Sequence, residues 1–259
     1  MSSIAVIRAT ARVTDFCFRH AFPLYIRCYD LYKSRTDREV IRLVTSLVRP
    51  GDRVADIGAN VGFYSRLLAR LVGDRGHVYA FEPDGFNFEK LAARARPFPQ
   101  IHAVQAAVAD ASGSRTLYRS PDLNVDHRAY ATDETRDQVT VAAVSLDSYF
   151  AHARDELHFI KMDIQGGEYK ALCGMRSLVA RSPELKILME LWPFVHDRFG
   201  EGTNVLLGLL ASWGFEVRRV VSGSSHLGER LTAADTVPER ADPNAYFDVL
   251  CARPGALPA

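Results

Sequence analysis

The sequence predicts a single α/β domain, a sheet with helices on both faces. Three observations predict it. Apolar runs of strand length alternate with helical patterns over much of the 259-residue chain. The first run, Val54-Ala55-Asp56-Ile57, breaks into the turn Gly58-Ala59-Asn60-Val61-Gly62, and Tyr64, Leu67, Leu68 and Leu71 then follow at helical spacing. Asp56, Glu82 and Asp163 each fall in or just after a strand-like run, and Glu190 is the next acid so placed. Ligands of open parallel sheets sit outside the C-terminal strand ends. Carboxylates there are hard to explain as core, because burying an unpaired charge is costly.

The elements follow in order. Residues 1–35 form a mostly helical, aromatic-rich extension, with Phe16, Phe22, Tyr25, Tyr29 and Tyr32 among interspersed arginines and Pro23 as a divider. It reads as a helical cap, with a dimer arm, a lid or a membrane-touching helix as the sharper alternatives. Residues 36–253 form the main domain. Thr36–Val48 is a helix with Asp37 as its cap and Val40, Ile41, Val44 and Leu47 as its apolar face. Pro50-Gly51 ends it, and the first strand and glycine turn come next.

The following helix runs to Val72 and closes at Gly73. The second strand, His77–Phe81, ends in Glu82, about 20 residues beyond the glycine turn, the offset at which a carboxylate reaches a ribose diol. A helix over 85–95 and a strand over 101–106 follow. Arg115–Tyr118 and Val139–Val144 are strand-like, and the polar loop between them carries His127, a candidate general base or a solvated histidine. His158–Met162 is a strand ending at Asp163, and a helix continues through Val179. Leu185–Leu191 is a strand with Glu190 near its end and Trp192 just beyond. Asn204–Trp213 is a helix, Phe215–Val221 a strand, 222–244 a polar loop without pattern, and Tyr246–Cys251 the last strand.

RVADIGANVGFYSRLL, VYAFEPDGFNFEKL, AAVADASGSRTLY and FIKMDIQGGEYKAL, in that order, resemble the FkbM family of S-adenosylmethionine-dependent methyltransferases. The resemblance covers roughly 40–220. It implies a Rossmann-like class I methyltransferase fold with a seven-stranded, mostly parallel sheet whose last strand is antiparallel. The implied cofactor is S-adenosylmethionine. Gly58, Asn60 and Gly62 would let the backbone meet its amino-acid end, Asp56 would lie near its ammonium, and Glu82 would bind its ribose. Asp110 or the backbone of Val108 would contact adenine, although Asp110 equally suits the turn it opens. Asp163 would face the sulfonium and the acceptor as the catalytic residue, with His127 as the second candidate base. Gln165, Glu168 and Trp192 are candidate acceptor contacts, while Glu168 as a helix cap and Trp192 as packing are the plainer assignments. Asp163 and Glu190 could hold a magnesium ion that lowers the hydroxyl pKa. The implied reaction is O-methylation of a hydroxyl on a glycan, glycolipid or natural product.

Two other functions fit parts of the pattern. A nicotinamide-dependent oxidoreductase shares the sheet, but Asn60 stands where its second glycine belongs, and Asp56 interrupts its first strand. A non-catalytic scaffold would have no need of three rim acids. The net charge of +1 gives no reason to expect nucleic acid as a partner. Cys17, Cys28, Cys173 and Cys251 are scattered, which argues for reduced thiols in a cytoplasmic protein. No apolar run approaches the roughly 18 residues of a membrane span, and no signal peptide is evident. The aromatic, arginine-bearing N-terminal segment makes a homo-oligomer, and membrane contact through that segment, further expectations.

Overall fold

A computed structural model describes residue 18 and residues 20–119, 136–152, 156–221, 227–235 and 237–257. The polar loop with His127 lies outside the described residues. The first full helix, α1 (Phe22–Thr36), has Pro23 in its opening turn, where a missing N–H costs nothing. Ala21 is non-helical before it, so Pro23 stands at a helix start. The expected boundary at residue 35 falls within the last turn of α1. Helix α2 (Arg38–Leu47) follows after Asp37. The Asp37 side chain does not cap α2. It accepts instead from the Tyr64 hydroxyl at 2.8 Å and pairs with Lys33. Leu43, Val44 and Leu47 of α2 pack with Val54, Leu68, Val72 and Phe159 beneath the sheet.

Strands β1 (Arg53–Ile57), β2 (His77–Phe81) and β3 (Ile101–Val104) pair in parallel, joined by helices α3 (Phe63–Val72) and α4 (Gly85–Ala95). Asp84 caps α4 by accepting the Phe86 and Asn87 amides, each at 3.0 Å. The chain then builds a separate three-stranded sheet from β4 (Ala107–Val108), β5 (Gly113–Arg119) and β6 (Asp137–Val144), in the order β4-β6-β5. Helix α5 (Leu146–Tyr149) leads back to β7 (Phe159–Met162), which pairs in parallel with β1. The helix expected through Val179 divides into α6 (Glu168–Cys173) and α7 (Arg176–Arg181). The break is at Gly174, where a Cβ would lie 2.0 Å from the Ala109 carbonyl oxygen. Gly174 lies against the Ala109 carbonyl, just past β4, where a side chain would not fit.

Strand β8 (Lys186–Leu191) pairs in parallel with β7. Helices α8 (Pro193–Phe199) and α9 (Thr203–Ser212), strands β9 (Glu216–Val220) and β10 (Leu227–Leu231), a 3₁₀ turn (Pro238–Ala241) and β11 (Phe247–Ala252) complete the chain. The main sheet has eight strands in the order β10-β9-β11-β8-β7-β1-β2-β3, not the seven expected. The additional strand is β10, in the stretch that had looked patternless. Among the described residues its only strand partner is β9, with a register shift between Leu227 and Arg230, so LGERL buries little and carries no apolar alternation. The antiparallel β11 was expected.

Strand order reverses between β1 and β7. From β1 the chain proceeds to β2 and β3 on one side, and from β7 to β8 on the other. The crevice of such a sheet opens at this reversal. The residues just beyond these two strands, Gly58 and Asp163, are therefore at its floor.

Candidate active site

Two cavities open at the C-terminal rim and share Lys33, Tyr64, Lys161 and Asp163 on their walls. The first, of about 190 Å³, runs along the glycine turn and includes Asp56, Gly58, Asn60, Glu82, Phe81, Ala106, Val108 and Gln165. The second, of about 720 Å³, lies between α1 and the ends of β8, β9 and β11, and includes Tyr32, Glu190, Arg219, Tyr246 and Asp248.

The glycine turn takes a left-handed backbone at Asn60 and is held by Glu82. Asn60 has a φ of 49°, a left-handed conformation that Asn tolerates better than most residues. Its N–H donates to Glu82 Oε2 at 2.8 Å, and the Asp84 N–H donates to Oε1 at 2.9 Å. Glu82 is buried, and burial pushes its carboxyl up to about 8 against the pull of these two amides. Each oxygen keeps a lone pair for a ligand hydroxyl. Gly58 is required by packing: a Cβ there would lie 1.9 Å from the Asp163 carbonyl oxygen. Gly62, with φ 84°, begins α3 and does not line the cavity.

Asp56 is 1% exposed. Its Oδ2 accepts from the Ser65 hydroxyl at 2.6 Å, and Oδ1 has no hydrogen-bond partner among the described residues. A buried acceptor left open is costly, roughly 1–3 kcal/mol. Burial raises the Asp56 pKa, and Lys161 opposes the rise. The donor set at this end, an open carboxylate oxygen and a glycine turn, fits the amino-acid portion of S-adenosylmethionine. Glu82 and the apolar wall of Phe81, Ala106 and Val108 fit its ribose and a flat base.

Lys161 joins the two cavities. It is 7% exposed, and its ammonium donates to Asp163 Oδ2 at 3.0 Å and stands 4.8 Å from the Tyr64 ring centre. Burial disfavours its charge, but Asp163 and Asp56 more than offset this, so its pKa is raised. Burial likewise works against Asp163, but Lys161 and the Gln165 amide hold its pKa below the ordinary range. Gln165 donates from Nε2 to Asp163 Oδ1 at 3.0 Å and to Glu190 Oε2 at 3.1 Å. It does so with a φ of 50°, the left-handed region that a glutamine rarely adopts. Burial and the acids Asp163 and Asp248 push Glu190 up to about 9.

Several expected contacts stand elsewhere. Asp110 is exposed, pairs with Arg115 at 2.7 Å and lines neither cavity; it serves its turn, while Val108 reaches the wall. Glu168 is buried and accepts the Ile164 N–H at 3.2 Å, closing its own turn. Its second oxygen faces His196 Nε2 at 3.6 Å, away from both cavities. Trp192 donates to the Pro243 carbonyl at 3.1 Å and packs beside Tyr246; it is Tyr246 that lines the groove. Asp163 and Glu190 do not form a magnesium site. The Lys161 ammonium and the Gln165 amide donate to the oxygens a cation would need, and no group of three metal-binding side chains gathers among the described residues.

Sequence reasoning missed Tyr29, Lys33, Lys161 and Asp248. Two of these had a signal: Lys161 in FIKM and Asp248 in YFDVLC are charges inside otherwise apolar strands, where they need a partner or a function. Tyr29 and Lys33 had none, since they reach the site only through the packing of α1. Asp30 anchors that helix to Arg94 at 2.7 Å, and Phe18 packs on Phe86 and Tyr25.

The fold and site define a nucleotide-cofactor α/β enzyme with a second groove beside its cofactor cavity. Residues 56–217 match the methyltransferase FkbM domain model, more than half of the chain. The chain belongs to the FkbM family of S-adenosylmethionine-dependent methyltransferases, and the family sets aside the nicotinamide alternative. It is 23% identical to the hexuronic acid methyltransferase AglP of Haloferax volcanii, over 64% of this chain and 67% of the relative. It is 28% identical to the 31-O-demethyl-FK506 methyltransferase FkbM of Streptomyces tacrolimicus, over 70% of this chain and 79% of the relative. The crystal structure of methyltransferase FkbM from Methylobacillus flagellatus aligns at a TM-score of 0.47 and 18% identity, over 80% of this chain and 48% of that one. This chain thus spans about half the length of that solved relative. No described helix is long and apolar enough to cross a membrane.

Proposed function

We propose that this protein is an O-methyltransferase that uses S-adenosylmethionine to methylate a hydroxyl of a sugar, free or within a glycan, glycolipid or natural product. One observation carries the proposal: Asp163 stands on the shared wall of the two cavities, where a carboxylate would reach both a cofactor in one and an acceptor in the other. The names of the two relatives support it, one being a hexuronic acid methyltransferase and the other a methyltransferase of 31-O-demethyl-FK506.

Bound S-adenosylmethionine supplies an activated methyl group on a sulfonium. The chain supplies binding, alignment and a proton acceptor. Asp56 Oδ1 would receive the amino-acid ammonium, and the Glu82 carboxyl would hydrogen-bond the ribose hydroxyls. Alignment alone is worth about 7–11 kcal/mol in favourable cases. Asp163 accepts the proton of the acceptor hydroxyl, with Lys161 and Gln165 fixing one oxygen each. Such a base adds about 10²–10⁴-fold. Lys161 stays protonated and keeps Asp163 ionised.

The test is incubation with S-adenosylmethionine and a panel of sugars and glycosides, following S-adenosylhomocysteine and product mass. Methylated product from the native protein and its loss in Asp163→Asn are expected. Sulfur-nucleoside binding with methylation at nitrogen or carbon acceptors alone would sink the O-methyl assignment.

A further inference from the structure

The larger groove has a charge pattern that selects its occupant. Among the described residues its walls carry five acids, Asp37, Glu39, Asp163, Glu190 and Asp248, and three cations, Lys33, Lys161 and Arg219. Each cation already has a carboxylate. Lys33 pairs with Asp37, and Lys161 with Asp163 at 3.0 Å. Arg219 is bound to Glu239 at 2.7 Å and lies 4.0 Å over the Phe247 ring. Glu190 and Asp248, by contrast, face each other as register partners across β8 and β11. Neither has an ion pair within 4.0 Å among the described residues.

We infer that the acceptor ring seated in this groove carries no anionic group: the site takes an uncharged sugar and refuses a uronate or a sugar phosphate. This deepens, and rests on, the sugar methyltransferase proposal above. An anion needs a cation or convergent donors that are not already engaged. Here it would meet the Asp248 carboxylate and, among the described residues, no ammonium or guanidinium without a carboxylate partner. Like-charge contacts of this kind are how sites reject wrong partners.

An uncharged ring finds complementary groups on the same walls. Burial first, then Asp163 and Asp248, push Glu190 up to about 9, so at neutral pH it is a hydrogen-bond donor. Burial likewise raises Asp248 to about 6, leaving it largely an acceptor there. A donor and an acceptor side by side suit a pair of neighbouring hydroxyls. Tyr32 and Tyr246 lie at this groove with 62% and 60% of their surfaces exposed, offering flat faces for the C–H side of a sugar ring. A carboxylate or phosphate gains nothing from the faces of these rings.

The experiment is calorimetric titration at neutral pH with three matched pairs: methyl glucoside and methyl glucuronide, methyl galactoside and methyl galacturonide, methyl mannoside and methyl mannuronide. Each is run with and without S-adenosylhomocysteine, whose own binding is measured first. At least one neutral glycoside should bind, about tenfold or more tighter than its uronide. In Glu190→Gln/Asp248→Asn the gap should narrow to about threefold or less. A uronide that binds as tightly as its neutral partner overturns the inference, as does the absence of binding by every neutral glycoside. Glycoside discrimination without any response to S-adenosylhomocysteine would sink the methyltransferase assignment and leave the charge selection standing.

Discussion

Gly58 and Asp163 touch through their backbones: a Cβ on Gly58 would lie 1.9 Å from the Asp163 carbonyl oxygen. The end of β1, which carries the cofactor turn, therefore sits directly against the end of β7, which carries the candidate base. Gly58 also has a φ of 80°. Gly58→Ala should cost about 1–3 kcal/mol from the strained φ alone, and more from the clash. Urea denaturation checks the stability. Turnover should fall with it, because separating the two strand ends moves Asp163 from the cofactor cavity.

Gln165 offers a separation of stability from function. Its left-handed φ costs roughly 1–2 kcal/mol, which a glycine would not incur. Gln165→Gly should thus change stability in thermal denaturation by no more than about 1 kcal/mol, the relieved φ offsetting the two lost hydrogen bonds. It should nonetheless lose activity, because the amide that links Asp163 and Glu190 is gone. Activity equal to the native protein would show that this link has no role.

For Asp163→Asn, turnover should drop about 10²–10⁴-fold. S-adenosylmethionine affinity, measured by calorimetry, should stay close to the native value because Asp56 and Glu82 are intact. A drop in affinity with unchanged turnover of the bound complex would move Asp163 from proton acceptor to cofactor ligand.

Glu190 gives a pH test. Its folded-state pKa, about 9, lies above the ordinary 4.5, so folding holds its proton more tightly than the unfolded chain does. The stability tied to that proton is complete below the unfolded pKa and is lost as pH rises through the folded one. Glu190→Gln keeps a neutral group of the same shape. It should therefore gain stability relative to the native protein as pH rises from about 5 to about 9. A difference that stays flat across denaturation curves in that window would contradict the raised pKa.

Helix α1 belongs to the site. Tyr29 and Lys33 line the cofactor cavity, and Lys33 also lines the groove. Removing residues 1–36 should weaken S-adenosylmethionine binding about tenfold or more, since a wall of the cavity is lost. Tyr29→Ala, which leaves the helix in place, should weaken it less. Unchanged affinity in both variants would return α1 to the status of a cap.

Much of this protein was legible in its sequence. The strand, glycine turn and helix at 53–72 depend on near-neighbour spacing, and so do the strands that end near Glu82, Asp163 and Glu190. Asp56, Glu82 and Asp163 were placed together because parallel strands of one sheet end on one rim. Tertiary structure decided the rest. It showed that Asp110 pairs with Arg115 on the surface, that Glu168 turns inward, and that LGERL is an edge strand. It also put Lys161 between Asp56 and Asp163, and brought Tyr29 and Lys33 from a remote helix to the same cavity. Periodicity reports which face of an element is buried, because burial repeats along the chain. Which charge meets which across elements is set by packing between distant segments, and no local pattern encodes that.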